Sequence, residues 1–192
     1  VHRLSTSFIL GYHGCRRLVG EKLLAGVAFE PSENVYDWLG PGIYFWDANP
    51  RRGIEFMSEK ARRDGFEPSD AFVVGAIVEL GTCLDLTTSG SMELLKAAYG
   101  ELARAMALAG IPMPVNTRDV LRRDLDCAVI RHLHAILDTA GVPPVQSVKG
   151  VFTEGAPVYP GSAILEKTHI QIAVRDSECI KGVFRVPSRD LR

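Results

Sequence analysis

No apolar run in these 192 residues approaches the roughly 18 that a membrane-spanning helix requires, so membrane association is not expected. Neither GxxxxGK[ST] nor GxGxxG occurs, which excludes the two common glycine-rich phosphate cradles. Cysteine is sparse. Cys15, Cys83, Cys127 and Cys179 stand far apart with no CxxC pair, a pattern that predicts reduced thiols in a cytoplasmic protein. Cys127, His132 and His134 are close in sequence, but on a helix they project to different faces, so no metal site is expected. Neither sign of charge prevails: the net charge is −1, and nothing global favours nucleic acid or an anionic surface. Internal repeats, low-complexity stretches and linkers are also missing, and residues 1–12 carry no signal-peptide pattern. What is there is an ordinary globular balance, 46% apolar and 23% charged. It suits one domain over residues 1–192.

The chain punctuates itself clearly. Phe8 to Tyr12 reads as a strand and Arg17 to Ala25 as a short amphipathic helix. Glu30 to Gly42 is a loop rich in Pro, Gly and Asn, followed by a short extended piece, Ile43 to Trp46. Asn49-Pro50 opens a helix that runs to about Arg63, with Asn as N-cap and Pro at the first helical position. Ala71 to Leu80 and Cys83 to Leu86 are β-rich. Ser91 to Ala109 has helix-spaced apolar residues and ends before Pro112. A second helix is predicted from a cap at Asn116-Thr117-Arg118-Asp119, with a stripe from Leu121 through Leu125, Val129 and Leu133 to Ile136. Ser147 to Phe152, Thr168 to Val174 and Ile180 to Val186 return to β. This order predicts an α+β fold with an interrupted sheet and a helical insertion at about 88–145.

Three segments carry the candidate chemistry. Gly11-Tyr12-His13-Gly14-Cys15 and Leu39-Gly40-Pro41-Gly42-Ile43-Tyr44-Phe45 each place a polar or aromatic side chain among glycines that admit close approach of a ligand. In Lys167-Thr168-His169-Ile170-Gln171-Ile172-Ala173-Val174-Arg175, strand alternation puts His169 and Gln171 on one face and the Ile/Val positions on the other, buried, face. Alternation likewise turns Tyr44 and Phe45 to opposite sides. Cys15 reads as a small core residue.

Tyr12-His13-Gly14 followed by Gly40-Pro41-Gly42-Ile43-Tyr44-Phe45 resembles the first two signatures of the poly-ADP-ribose-polymerase-type, diphtheria-toxin-like ADP-ribosyltransferases. Val74 to Gly81, Ser147 to Gly150, His169 to Val174 and Ile180 to Phe184 resemble later strands of that family in the correct order. The insertion has no counterpart there. The resemblance implies a split antiparallel sheet and a His-Tyr-Glu site in which His13 and Tyr44 match and Gln171 replaces the Glu.

The resemblance further implies NAD as substrate, no metal, and loss of nicotinamide through an oxocarbenium-like state. His13 would bind a ribose hydroxyl, Gly14 the carboxamide, and Tyr44 the nicotinamide ring with Phe56 as a second aromatic. Gly53 falls near the family's carboxamide-binding Ser, whose hydroxyl would then be missing. Arg51 and Arg52 are either pyrophosphate ligands or solvated helix-start residues. Glu154 is either a substitute carboxylate at the site edge or an exposed loop acid. Without charge at Gln171, mono-transfer to an unidentified protein or nucleic-acid acceptor is expected, with loop 153–167 selecting it. An NAD glycohydrolase and an inactive NAD- or ADP-ribose-binding module are the alternatives; a nucleic-acid target would be reached through Arg51, Arg52, Arg62, Arg63, Arg122 and Arg123. Small freestanding enzymes of this family are often toxins.

Overall fold

The protein is described here by a computed structural model covering residues 8–117 and 122–191. Among the described residues, seven strands and four helices follow one another. The strands are β1 (Phe8–Arg16), β2 (Ile43–Asp47), β3 (Ala71–Glu79), β4 (Cys83–Asp85), β5 (Ser147–Phe152), β6 (His169–Val174) and β7 (Ile180–Arg185). The helices are α1 (Arg17–Leu24), α2 (Pro50–Asp64), α3 (Ser89–Ala109) and α4 (Asp124–Thr139). All strands join one sheet in the order β4-β5-β6-β2-β1-β3-β7, antiparallel except for the β4–β5 pair. The fold is therefore mixed α+β, as the order of elements predicts.

The middle of this sheet is narrow. β1 pairs with β3 along its whole length, but with β2 only at Gly11↔Asp47 and Tyr12↔Trp46. From His13 onward β1 stays with β3, while β2 stays with β6. The strands thus form one hydrogen-bonded sheet with a two-position seam at its centre.

Glycine explains how closely α2 lies on that sheet. A Cβ on Gly14 would come within 2.8 Å of Met57 Cγ and 3.0 Å of the Gly53 carbonyl oxygen. Gly53 in turn packs against Val73 and Trp46. The predicted cap holds α2's first turn, where the Asn49 side chain accepts from the Arg52 N–H at 3.0 Å.

The helical segment expected at about 88–145 contains α3 and α4, and it shares a core with the sheet. Ala98, Val129, Ile130 and Leu133 pack with Leu84, Val148, Ala173 and Leu39. The start of α4 differs from expectation, while the predicted Asn116 still acts as its cap. The helix starts at Asp124, and Asn116 caps it from outside, accepting from the Leu125 and Asp126 N–H groups at 3.0 and 3.3 Å. Arg118, Asp119 and Leu121 lie outside the described residues, as do residues 1–7.

Burial makes this fold acid-sensitive. In α4, burial and the neighbouring Arg175 push His134 down to about 4. Unfolded, the same imidazole titrates near 6.5. Between those values the unfolded chain takes up a proton that the folded one refuses. Stability is thus held above pH 6.5 and lost as the pH falls toward 4, by on the order of 1–3 kcal/mol from this group. Urea denaturation at pH 7.5 and pH 5 should show the drop, and His134→Gln should shrink it.

Candidate active site

A cavity of about 510 Å³ opens at the seam between β1 and β2. His13, Gly14, Tyr44, Phe56, Glu154 and Gln171 all line it. Residues 158 positions apart in sequence, from His13 to Gln171, thus meet in one cleft. Its sides are α2, the loop before β2, the segment entering α4 and the β5–β6 connection.

His13 bridges the seam. Its Nδ1 lies 2.9 Å from the Tyr44 carbonyl oxygen. A carbonyl only accepts, so Nδ1 carries the proton and Nε2 keeps its lone pair. Burial lowers the imidazole below its usual range, partly opposed by this hydrogen bond. His13 is therefore a neutral acceptor at pH 7. Phe29 and Phe45 hold the ring edge-on and tilted, at centroid distances of 5.3 and 5.8 Å.

On β2, alternation works as predicted. Phe45 is fully buried in the core and Tyr44 faces the cavity. The Tyr44 hydroxyl donates to the Gly40 carbonyl at 2.8 Å and accepts from the Leu39 N–H at 3.0 Å. Burial, with Asp37 nearby, raises this phenol well above its usual range, so it stays protonated. The hydroxyl ties the Gly40-Pro41-Gly42 turn to the strand and leaves the ring as the cavity wall.

Gln171 meets a partner that the sequence did not announce. Trp38 Nε1 donates to Gln171 Oε1 at 2.6 Å. Indole N–H can only donate, so the amide must present its oxygen to Trp38. Its NH₂ group is left for the cavity. Trp38 also tilts against Phe152, with centroids 5.0 Å apart.

Glu154 is held at the cavity edge rather than exposed. Arg52 Nη2 donates to its Oε2 at 3.0 Å. Arg52 Nη1 lies 3.6 Å from Glu59 Oε1, to which Lys167 donates at 2.8 Å. The Arg52 side chain is 5% exposed and that of Glu154 17%, so this bridge is largely withdrawn from water. Of the two alternatives, the solvated one fails for Arg52, because the close seating of α2 turns it inward. Arg51 points away, exposed and paired with Glu55 at 3.1 Å. Gly53, on the sheet-facing side of α2, is buried against Val73 and Trp46 and does not line the cavity.

Two further residues belong to the lining. Trp46 shares Tyr44's face two positions on, and its ring tilts against Phe56 at 5.2 Å. The period-2 spacing was the available signal. His169 places Nδ1 2.6 Å from the Lys167 carbonyl oxygen, which fixes its proton there. Its Nε2 is buried without a partner among the described residues, and burial lowers its titration range. Cys15 is a core thiol, raised to about 11 by burial. Among the described residues no group of three His, Cys, Asp or Glu could hold a metal ion, and no helix is long and apolar enough to cross a membrane.

Comparison with protein-family models, with curated proteins and with solved structures finds no match for this chain.

Proposed function

We propose that the chain is a mono-ADP-ribosyltransferase that takes NAD as substrate and releases nicotinamide. The observation that carries the reading is the meeting of His13, Tyr44 and Gln171 in one cleft at the sheet's seam. His13 Nε2 would accept from a ribose hydroxyl. Tyr44, Trp46 and Phe56 offer flat apolar surface for the nicotinamide ring. Gln171 would donate its NH₂ to a ribose oxygen, while Trp38 keeps its carbonyl. As the glycosidic bond breaks, positive charge grows on the ribose. Gln171 offers no charge to meet it. Of the lining carboxylates, Glu154 is the one the β5–β6 connection brings in, and Arg52 holds it in place.

A neutral amide at 171 also cannot take a proton from an incoming hydroxyl. Chain elongation onto another ADP-ribose is therefore disfavoured, and a single transfer favoured. The same residue supports a second reading, a module that binds NAD or ADP-ribose without turning it over, because its carbonyl is already engaged by Trp38.

One experiment separates these. The protein is incubated with NAD labelled in the adenylate half and a cell lysate. Nicotinamide release with label on a macromolecule is the expected result. Release with label only in free ADP-ribose means water is the acceptor. Binding by titration calorimetry without release over long incubation means the binding module. Neither binding nor release removes the reading altogether.

A further inference from the structure

Resting on that reading, we infer that Arg123, carried by the helical insertion, is the ligand for the diphosphate of the dinucleotide. The cavity lining holds five Lys or Arg residues against three Asp or Glu, in a chain whose net charge is −1. Four of those cations have a carboxylate partner. Arg52 has Glu154, Lys60 and Arg63 share Asp64, and Arg122 has Asp124. Arg123 has neither an ion pair nor a side-chain hydrogen bond among the described residues. It is half-buried in the cavity wall, with its guanidinium 5.8 Å from the Phe152 ring centroid.

Its place is held by backbone and ring contacts, which leave the guanidinium edges unused. The Arg123 N–H donates to the Tyr36 carbonyl at 3.1 Å, fixing the segment against the loop before β2. The Phe152 ring lies within cation–π range of the guanidinium and is itself braced by Trp38. The N–H donors of a guanidinium lie in its own plane, where they can fork onto phosphate oxygens. The N-terminus of α4 does not compete for the anion, because Asn116 already accepts from its Leu125 and Asp126 N–H groups. A partly desolvated cation with no anion beside it is unfavourable. A diphosphate carries two negative charges, and this position is within the same cleft as His13 and Tyr44.

The test uses the full chain with ADP-ribose and inorganic pyrophosphate as probes. Arg123→Ala should weaken ADP-ribose binding by about 10- to 100-fold, the loss of one or two charge-assisted hydrogen bonds. Arg123→Lys should recover part of that loss. Pyrophosphate should compete with ADP-ribose in the wild type and compete much less well against the residual binding in Arg123→Ala. Thermal unfolding should be unchanged in both variants. Wild-type ADP-ribose affinity in Arg123→Ala overturns the assignment, as does pyrophosphate competition that ignores the substitution. If Arg123→Ala fails to fold, Arg123→Lys and Arg123→Gln carry the comparison: equal affinity in the two overturns it. Absence of NAD and ADP-ribose binding in the wild type sinks the parent reading instead, which keeps the two failures apart.

Discussion

Gln171→Glu is expected to raise the rate of nicotinamide release by about 10²- to 10³-fold, the worth of one well-placed electrostatic contact to a charged transition state. Trp38 accepts this change. Its Nε1–H, now 2.6 Å from the Gln171 oxygen, donates as well or better to a carboxylate oxygen. The second oxygen then replaces the NH₂ group at the cavity, so a donor becomes a negatively charged acceptor. Negative charge there favours the oxocarbenium-like state, in which positive charge develops on the ribose. The gain should therefore appear in kcat, with a small change in the NAD binding constant. Single-turnover release of nicotinamide, read beside calorimetric NAD affinity, checks both halves. A rate no faster than the wild type would mean that Glu154 already supplies the charge, and Glu154→Gln should then abolish release. No effect from either substitution would leave the cleft without a catalytic carboxylate and favour the binding module.

That two carboxylate positions must be weighed at all reflects what one-dimensional patterns reveal. Local rules placed the helices and strands: Asn49-Pro50 opened α2, and alternation on β2 separated Tyr44 from Phe45. They work because caps and pleats act between residues a few positions apart. Partnerships across the sheet escaped them. Trp38 lies 133 residues from Gln171, and Arg52 lies 102 from Glu154. Arg51 and Arg52 are equivalent in sequence, and only the rotation of α2 about its glycine contact decides which is buried. Gly53 was placed as a substrate neighbour, yet its missing side chain serves the packing of α2 on β2 and β3. Asn116 acts as the predicted cap of α4, but on N–H groups nine and ten positions on rather than at the usual spacing. Arg122 and Arg123, read in the sequence only as part of a route to nucleic acid, line the cavity wall.

His13→Ala should lower kcat/KM for nicotinamide release by about 100-fold, since a ribose hydroxyl then enters the cleft with no acceptor and loses the cost of its desolvation. The loss has a second source. The Tyr44 carbonyl gives up the His13 side chain as a partner, at the point where β1 and β2 part, so the relative placement of the two halves loosens as well. The pH profile isolates the first source from the second. Wild-type His13 is neutral because burial lowers its titration range, and its Nε2 accepts only while neutral. Activity should hold from pH 8 down to about 6.5, the ordinary histidine value, and fall only below it as Nε2 gains a proton and turns from acceptor to donor. In His13→Ala the residual activity should lose that acid limb while remaining low throughout. An acid limb of unchanged position in the variant would assign the titration to another group, and His169, also depressed by burial and also lining the cavity, is the one to substitute next.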